Sequence, residues 1–99
     1  MTVFPDGGLY LHRSTELNTL GYVLLRAGEL DKAMTVFHFN TFIFRYDPNA
    51  HDSYGEALAL AGKTEAAIKS YEKVLTVKPE DENALVQLVE LRGKKKEEK

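Results

Sequence analysis

The sequence repeats itself at an offset of 34 residues when residues 14–47 are aligned with residues 48–81. Six identical pairs coincide: Gly21 with Gly55, Leu24 with Leu58, Ala27 with Ala61, Gly28 with Gly62, Ala33 with Ala67, and Asp47 with Asp81. A further step of the same length matches only about half a unit before charged residues predominate. In repeat architectures each unit buries its apolar face against its neighbours. The sequence therefore predicts two full units and half of a third.

Each unit has the apolar spacing of two helices, because apolar residues recur three and four positions apart. Gly28 and Gly62 lie where the first helix of each unit must end, since glycine accepts the left-handed conformation. Asp47 and Thr64 are predicted N-caps, and Pro48 suits a first helical turn. We predict helices at about residues 15–27, 30–44, 49–61, 64–78 and 82–92.

This pattern resembles the tetratricopeptide (TPR) repeat, in which small and large residues alternate at fixed positions of a helix pair. The first unit supplies Leu17, Leu20-Gly21, Leu24, Ala33 and Phe37, and the second supplies His51, Tyr54-Gly55, Leu58, Ala67, Tyr71 and Pro79. Arg45 stands where the first unit should carry proline. The resemblance implies an all-α, helix-turn-helix TPR solenoid of about two and a half repeats, or five helices, that acts as a non-enzymatic protein-interaction module.

A narrower resemblance covers residues 17 to about 91. The strings LGYVLL, FHFN, DSYGEA and AIKSYEKVL are similar to the C-terminal TPR tail of bacterial serine hydrolases of the β-lactamase-like or α/β-hydrolase kind. Asn40 and the Asp52-Ser53 pair are the less generic part of this likeness. It implies an alternative function, a C-terminal accessory or regulatory domain of such an enzyme that is not catalytic by itself.

Composition divides the chain into an N-terminal segment (1–13), a TPR domain (14–92) and a charged flexible tail (93–99). With 43% hydrophobic residues, 28% charged residues and a net charge of -2, the chain is typical of one small globular domain. No apolar run approaches the ~20 residues of a membrane span. The acidic balance argues against nucleic acid as a partner. We expect a protein or peptide partner, no membrane, and a cytoplasmic location if the domain is free-standing.

No catalytic, cofactor or metal site is predicted. Ser70 and Lys73 have Ser-x-x-Lys spacing, but Tyr71 takes the packing position of the repeat, which places both on the solvated outer face of their helix. The sequence Gly62-Lys63-Thr64 lacks the earlier glycine of a phosphate-binding loop. The three histidines are not spaced as metal ligands on one helical turn, and His51 takes a bulky core position.

Binding in the groove lined by the first helices is the predicted activity, because successive first helices of such a solenoid present their non-core faces to one concave surface. The alternative is that this surface is only solvated and has no partner. The repeat positions assign ten residues to this groove: Asn18, Tyr22, Leu25, Arg26, Asn49, Asp52, Glu56, Asn83, Val86 and Glu90. Asp52, Glu56 and Glu90 make its far end acidic. Such a groove does not suit an acidic C-terminal peptide, which needs a cationic clamp.

The second helix carries more aromatic residues than the repeat core needs. Phe37 and Ile43 are assigned to the core, whereas Phe39, Phe42, Phe44 and Tyr46 form a candidate docking face. Three interpretations compete. The N-terminal residues around Pro5-Asp6-Gly7-Gly8 cover these aromatics, or the aromatics contact a partner, either a catalytic domain or a second copy in a homodimer. In the third, they are scattered surface aromatics without a partner.

Overall fold

Five α-helices follow one another as stacked hairpins in a computed structural model that describes residues 2–3, 9–10 and 14–97. The helices are α1 (Ser14–Arg26), α2 (Leu30–Ile43), α3 (Pro48–Leu60), α4 (Thr64–Val77) and α5 (Glu82–Glu97). Each helix packs against the next, and α1 also contacts α3. The bounds of α3 and α4 are those of α1 and α2 displaced by 34 residues, since 14 and 30 become 48 and 64. The predicted all-α repeat solenoid is confirmed.

A glycine with positive φ follows the first helix of each repeat. Gly28 and Gly62 have φ angles of 82° and 78°, a conformation that side chains disfavour. In the first repeat, the N–H groups of Gly28 and Glu29 donate to the carbonyls of Leu25 and Leu24 at 3.1 and 2.9 Å. This Schellman arrangement satisfies carbonyls at the end of α1 and turns the chain toward α2.

Glycine also allows the two helices of each repeat to cross closely. A Cβ atom on Gly55 would lie 2.8 Å from the ring of Tyr71, which is closer than real Cβ contacts. At the equivalent crossing of the first repeat, a Cβ atom on Gly21 would overlap the ring of Phe37. The aromatic ring therefore occupies the volume that the missing side chain leaves free.

The largest buried cluster lies between the second repeat and α5. It contains Leu58, Ala67, Ile68, Tyr71, Val74, Ala84, Leu88 and Leu91. A smaller cluster of Ala33, Phe37 and Ala57 joins the two repeats, with Met34 and Tyr54 packed against both clusters. The half repeat thus contributes its apolar face to a continuous core.

Asn40 lies fully buried among these apolar residues. Its Nδ2 donates to the backbone carbonyl of Ser14 at 3.1 Å and to Oδ1 of Asn18 at 2.9 Å. Both bonds join α2 to α1. Buried polar groups are costly unless they are hydrogen-bonded, and these two bonds fix how the first two helices meet.

Two residues assigned to the core pattern are more exposed than predicted. Leu20 is 45% exposed and Ile43 is 42% exposed. Tyr54, the equivalent of Leu20 in the second repeat, is half-buried and stacks on His38 of the preceding repeat. Within the described residues no repeat precedes Leu20 to cover it in the same way. Ile43 is the last residue of α2, where the helix leaves the core.

The predicted bounds of the first four helices are correct to within one residue, whereas two details were wrong. Thr64 is the first residue of α4, and Lys63 takes the N-cap position. The last helix does not end at residue 92, because α5 continues through Glu97 and includes most of the predicted flexible tail. Lysine and glutamate are good helix formers, and Lys95 pairs with Glu65 of α4 at 3.7 Å, so charge alone does not unwind this segment.

The described part of the N-terminal segment forms two short strands, which are not predicted by the repeat pattern. β1 (Thr2–Val3) pairs antiparallel with β2 (Leu9–Tyr10), with Thr2 opposite Tyr10. The predicted turn at residues 5–8 lies outside the described residues.

Candidate functional site

Hydrogen bonds join the first helices of the two repeats along one face. The hydroxyl of Tyr22 on α1 donates to Oε1 of Glu56 on α3 at 2.8 Å, and it lies 3.3 Å from Oγ of Ser53. The ring of Tyr22 also meets Phe37 edge-on, with centroids 5.0 Å apart. The tyrosine is therefore held at both ends, by an aromatic contact in the core and by a carboxylate at the surface.

The same face continues from α3 to α5. Nδ2 of Asn83 lies 3.2 Å from both carboxylate oxygens of Asp52. Asp52, Glu56, Tyr71 and Asn83 line a depression of about 290 Å³ between these helices. We call the surface formed by α1, α3 and α5 the first-helix groove. Four of its predicted residues therefore form two hydrogen-bonded pairs, Tyr22 with Glu56 and Asn83 with Asp52, whose carboxylates lie one helical turn apart on α3.

The groove disfavours additional negative charge. Burial raises the pKa of Asp52, and the nearby carboxylates of Asp81 and Glu56 raise it further, against the opposing effect of the hydrogen bond from Asn83. Burial also raises the pKa values of Tyr22 and Tyr71, whose hydroxyl groups face the same carboxylates. The tyrosines consequently remain protonated hydrogen-bond donors at neutral pH.

The other predicted groove residues differ in what their side chains contact. Leu25 is partly buried against the smaller core cluster. Asn18 accepts the hydrogen bond from Asn40. Four side chains on the first helices are exposed: Arg26, Asn49, Val86 and Glu90.

Three of the four aromatics of the predicted docking face line two depressions that share Tyr46. Phe42 and Tyr46 are 79% and 77% exposed and line the same depression between α2 and α4. Phe39 is half exposed and is not among the residues that line it, whereas Phe44 is half-buried near the turn into α3. The described residues therefore leave Phe39, Phe42 and Tyr46 uncovered. The interpretation that N-terminal side chains cover these aromatics concerns residues 1–13, whose side chains lie outside the described part of the structure.

The depression beside Phe42 and Tyr46 adjoins a second one, and we call the pair the α2–α4 furrow. The α2 side and the following turn contribute His38, Thr41, Phe42, Arg45 and Tyr46, and the α4 side contributes Lys69, Lys73 and Val77. Sequence reasoning missed Lys69 as a site residue. The available signal was the spacing of Lys69 and Lys73, which places both on one face of a helix.

The predicted position of Ser70 was wrong. Ser70 is buried, and its hydroxyl donates to the backbone carbonyl of His51 at 2.7 Å. The ring of His51 is also buried, with Nε2 lying 2.8 Å from the carbonyl oxygen of Arg45. Ser70 therefore ties α4 to α3 rather than facing solvent. Its partner is a backbone carbonyl and not a catalytic base.

Residues 48–81, which comprise α3, α4 and the turn after them, match the family model of the tetratricopeptide repeat. Repeats of this class generally mediate protein–protein interactions and are typically non-enzymatic scaffolds. No curated protein matches the chain. The resemblance to the tails of serine hydrolases therefore stays a prediction.

Across residues 2–3, 9–10 and 14–97, no helix is long and apolar enough to span a membrane.

Proposed function

We propose that the protein is an interaction scaffold whose first-helix groove binds a peptide or protein segment. The match to the tetratricopeptide repeat supports the general role. The observation that carries the choice of surface is the two hydrogen-bonded pairs Tyr22–Glu56 and Asn83–Asp52. Together these pairs join α1 and α5 to α3 and fix two carboxylates on one face, which also carries the exposed side chains of Arg26 and Val86.

The contacts within the groove favour a partner that brings hydrogen-bond donors. Asp52 and Glu56 form no ion pair among the described residues, and each accepts hydrogen bonds from neutral groups only. Carboxylate oxygens have capacity for several donors, so these two retain acceptor positions for a bound chain. Backbone N–H groups or cationic side chains of a partner would satisfy them.

A selection with a random peptide display library tests the proposal. Peptides that bind the wild-type protein are synthesised, and their affinity is measured for the double variant Asp52→Asn, Glu56→Gln. The loss of charge-assisted hydrogen bonds should weaken binding by about tenfold or more. The matched control is Asp31→Asn with Glu80→Gln, which removes two exposed carboxylates that do not lie on α1, α3 or α5. Equal affinities of wild type and the groove variant would overturn the assignment.

The alternative role, as an accessory domain of a serine hydrolase, has support only from the motif resemblance. The less generic motif residues have structural partners in the described chain. Asn40 bonds to Ser14 and Asn18, and Asp52 bonds to Asn83. Their presence is explained by packing between helices without reference to an enzyme, so the groove scaffold is the better supported function.

A further inference from the structure

The α2–α4 furrow carries positive charge without matching negative charge. Arg45, Lys69 and Lys73 line it, and no carboxylate is among its lining residues. None of these three cations forms an ion pair within the described residues, whereas Lys32, Arg92 and Lys95 each pair with a glutamate. Cations gathered in a depression without counter-charges form a local attractive field for an anion.

Aromatic side chains also line the furrow. Phe42 and Tyr46 stand at the rim, largely exposed, and the guanidinium of Arg45 lies 5.5 Å from the ring centroid of Tyr46. His38 stacks on Tyr54 with ring planes 12° apart and centroids separated by 4.9 Å. An apolar side chain placed here would bury aromatic surface that is otherwise open to water.

We propose that the α2–α4 furrow is a second binding site, which takes an acidic peptide segment carrying an aromatic or large apolar side chain. Carboxylates of the segment pair with Lys69, Lys73 and Arg45, and the apolar side chain packs on Phe42 and Tyr46. The larger of the two depressions, about 380 Å³, accommodates side chains rather than an extended polymer. The furrow is separate from the first-helix groove, so neither site depends on the other.

A peptide fits these features better than a nucleic acid does. The whole chain has a net charge of -2, which does not favour a polyanion. Nucleic-acid binding depends on many phosphate contacts spread over a basic surface, which three cations in one furrow do not supply. Short-range pairing with two or three carboxylates needs no such extended surface.

Fluorescence anisotropy with a labelled synthetic peptide of Glu and Asp residues around one Trp provides the test, using the full chain at low ionic strength. The double variant Lys69→Gln, Lys73→Gln should lose about tenfold in affinity, while the control Lys94→Gln, Lys96→Gln removes two exposed cations of α5 and should lose little. Added salt should weaken wild-type binding. A control peptide in which Gln replaces each Glu and Asn replaces each Asp should not bind, so its anisotropy should stay near the value of the free peptide.

A second pair of variants tests the aromatic contribution. Phe42→Ala should weaken binding several-fold, whereas Phe39→Ala, on the same helix but outside the furrow, should leave it unchanged. The proposal would be overturned if the furrow double variant and the Lys94→Gln, Lys96→Gln control lost the same affinity for the peptide. It would also be overturned if the acidic peptide did not bind, or if single-stranded RNA or phosphatidylserine vesicles bound in its place. Far-ultraviolet circular dichroism of each variant verifies that it remains folded. The groove variant Asp52→Asn, Glu56→Gln should bind the acidic peptide as wild type does, which separates failure of one site from failure of the other.

Discussion

The hydroxyl of Tyr22 donates a 2.8 Å hydrogen bond to the carboxylate of Glu56, the residue 34 positions further along the chain. The two residues therefore occupy the same position in consecutive repeats, one as donor and the other as acceptor. Asp52 and Asn83 make the next connection, from α3 to α5. The groove is thus held together by side chains at its surface as well as by the core beneath it.

Replacing Tyr22 with Phe should lower the free energy of unfolding by about 1 kcal/mol, because it removes one hydrogen bond and keeps the ring against Phe37. Urea denaturation followed by circular dichroism measures the change. Tyr46→Phe is the control, since the Tyr46 side chain is largely exposed. Equal stabilities of wild type and Tyr22→Phe would show that the bond does not contribute to folding.

Replacing Gly55 with Ala should destabilise the fold by about 1–3 kcal/mol, because the new methyl group would press on the ring of Tyr71. Gly93→Ala provides a matched comparison on α5, where nothing lies within 4 Å of the added Cβ atom. Alanine is favoured over glycine in a helix by roughly 1 kcal/mol, so this second variant should gain stability. Thermal melting distinguishes the two. A loss of stability in Gly93→Ala would contradict the helical continuation of α5 past residue 92.

Replacing Asn40 with Ala should cost about 2–3 kcal/mol, since the substitution leaves the carbonyl of Ser14 and the side chain of Asn18 without their buried donor. Chemical denaturation gives the value. Asn49→Ala is the comparison, because the Asn49 side chain is exposed and the hydrogen bond from Asn49 to Asp47 uses the backbone N–H. If both substitutions had the same small effect, Asn40 would not fix the contact between α1 and α2.

The free energy of unfolding of the variant Asp52→Asn should increase relative to that of the wild type as the pH rises. Burial is the largest cause of the raised pKa of Asp52. A raised pKa means that the folded state favours protonated Asp52, so this contribution is present below the unfolded pKa and is lost as the pH rises through the folded pKa. Asparagine does not ionise and escapes this loss.

The difference in free energy of unfolding between Asp52→Asn and wild type should therefore be larger at about pH 7 than at about pH 3. Urea denaturation at both values measures it. Glu80→Gln, at an exposed position, controls for general effects of removing one negative charge. A difference that shrinks with rising pH would mean that hydrogen bonding, rather than burial and like charges, dominates at Asp52.

The helical architecture could be predicted closely from the sequence because the period of 34 fixes both the length and the position of each helix pair. Gly28 and Gly62 mark where first helices end, and Asp47 with Pro48 marks where α3 begins. The end of α5 could not be predicted, because the residues after Gly93 are all charged, yet lysine and glutamate have high helix propensity. The burial of Ser70 could not be predicted either. In the sequence, a small polar residue at a contact between helices looks like a surface residue, because its partner, the carbonyl of His51, is not evident.

The candidate sites were less predictable than the fold. Repeat positions identified Tyr22, Asp52, Glu56 and Asn83 individually, but not the hydrogen bonds that link them, since these depend on the spacing between helices. The α2–α4 furrow joins aromatics of one repeat to lysines of the next. The spacing of Lys69 and Lys73 indicates that both lie on one face of α4, but the side chains opposite that face depend on the contact between repeats.

The central claim, that a partner lies in the first-helix groove, is tested most directly by amide chemical-shift mapping of the labelled protein with a peptide selected from the display library. We expect the largest shifts in α1, α3 and α5, centred on Tyr22, Glu56 and Asn83, and their loss in the variant Asp52→Asn, Glu56→Gln. Shifts confined to α2 and α4, with the first helices unaffected, would contradict the claim.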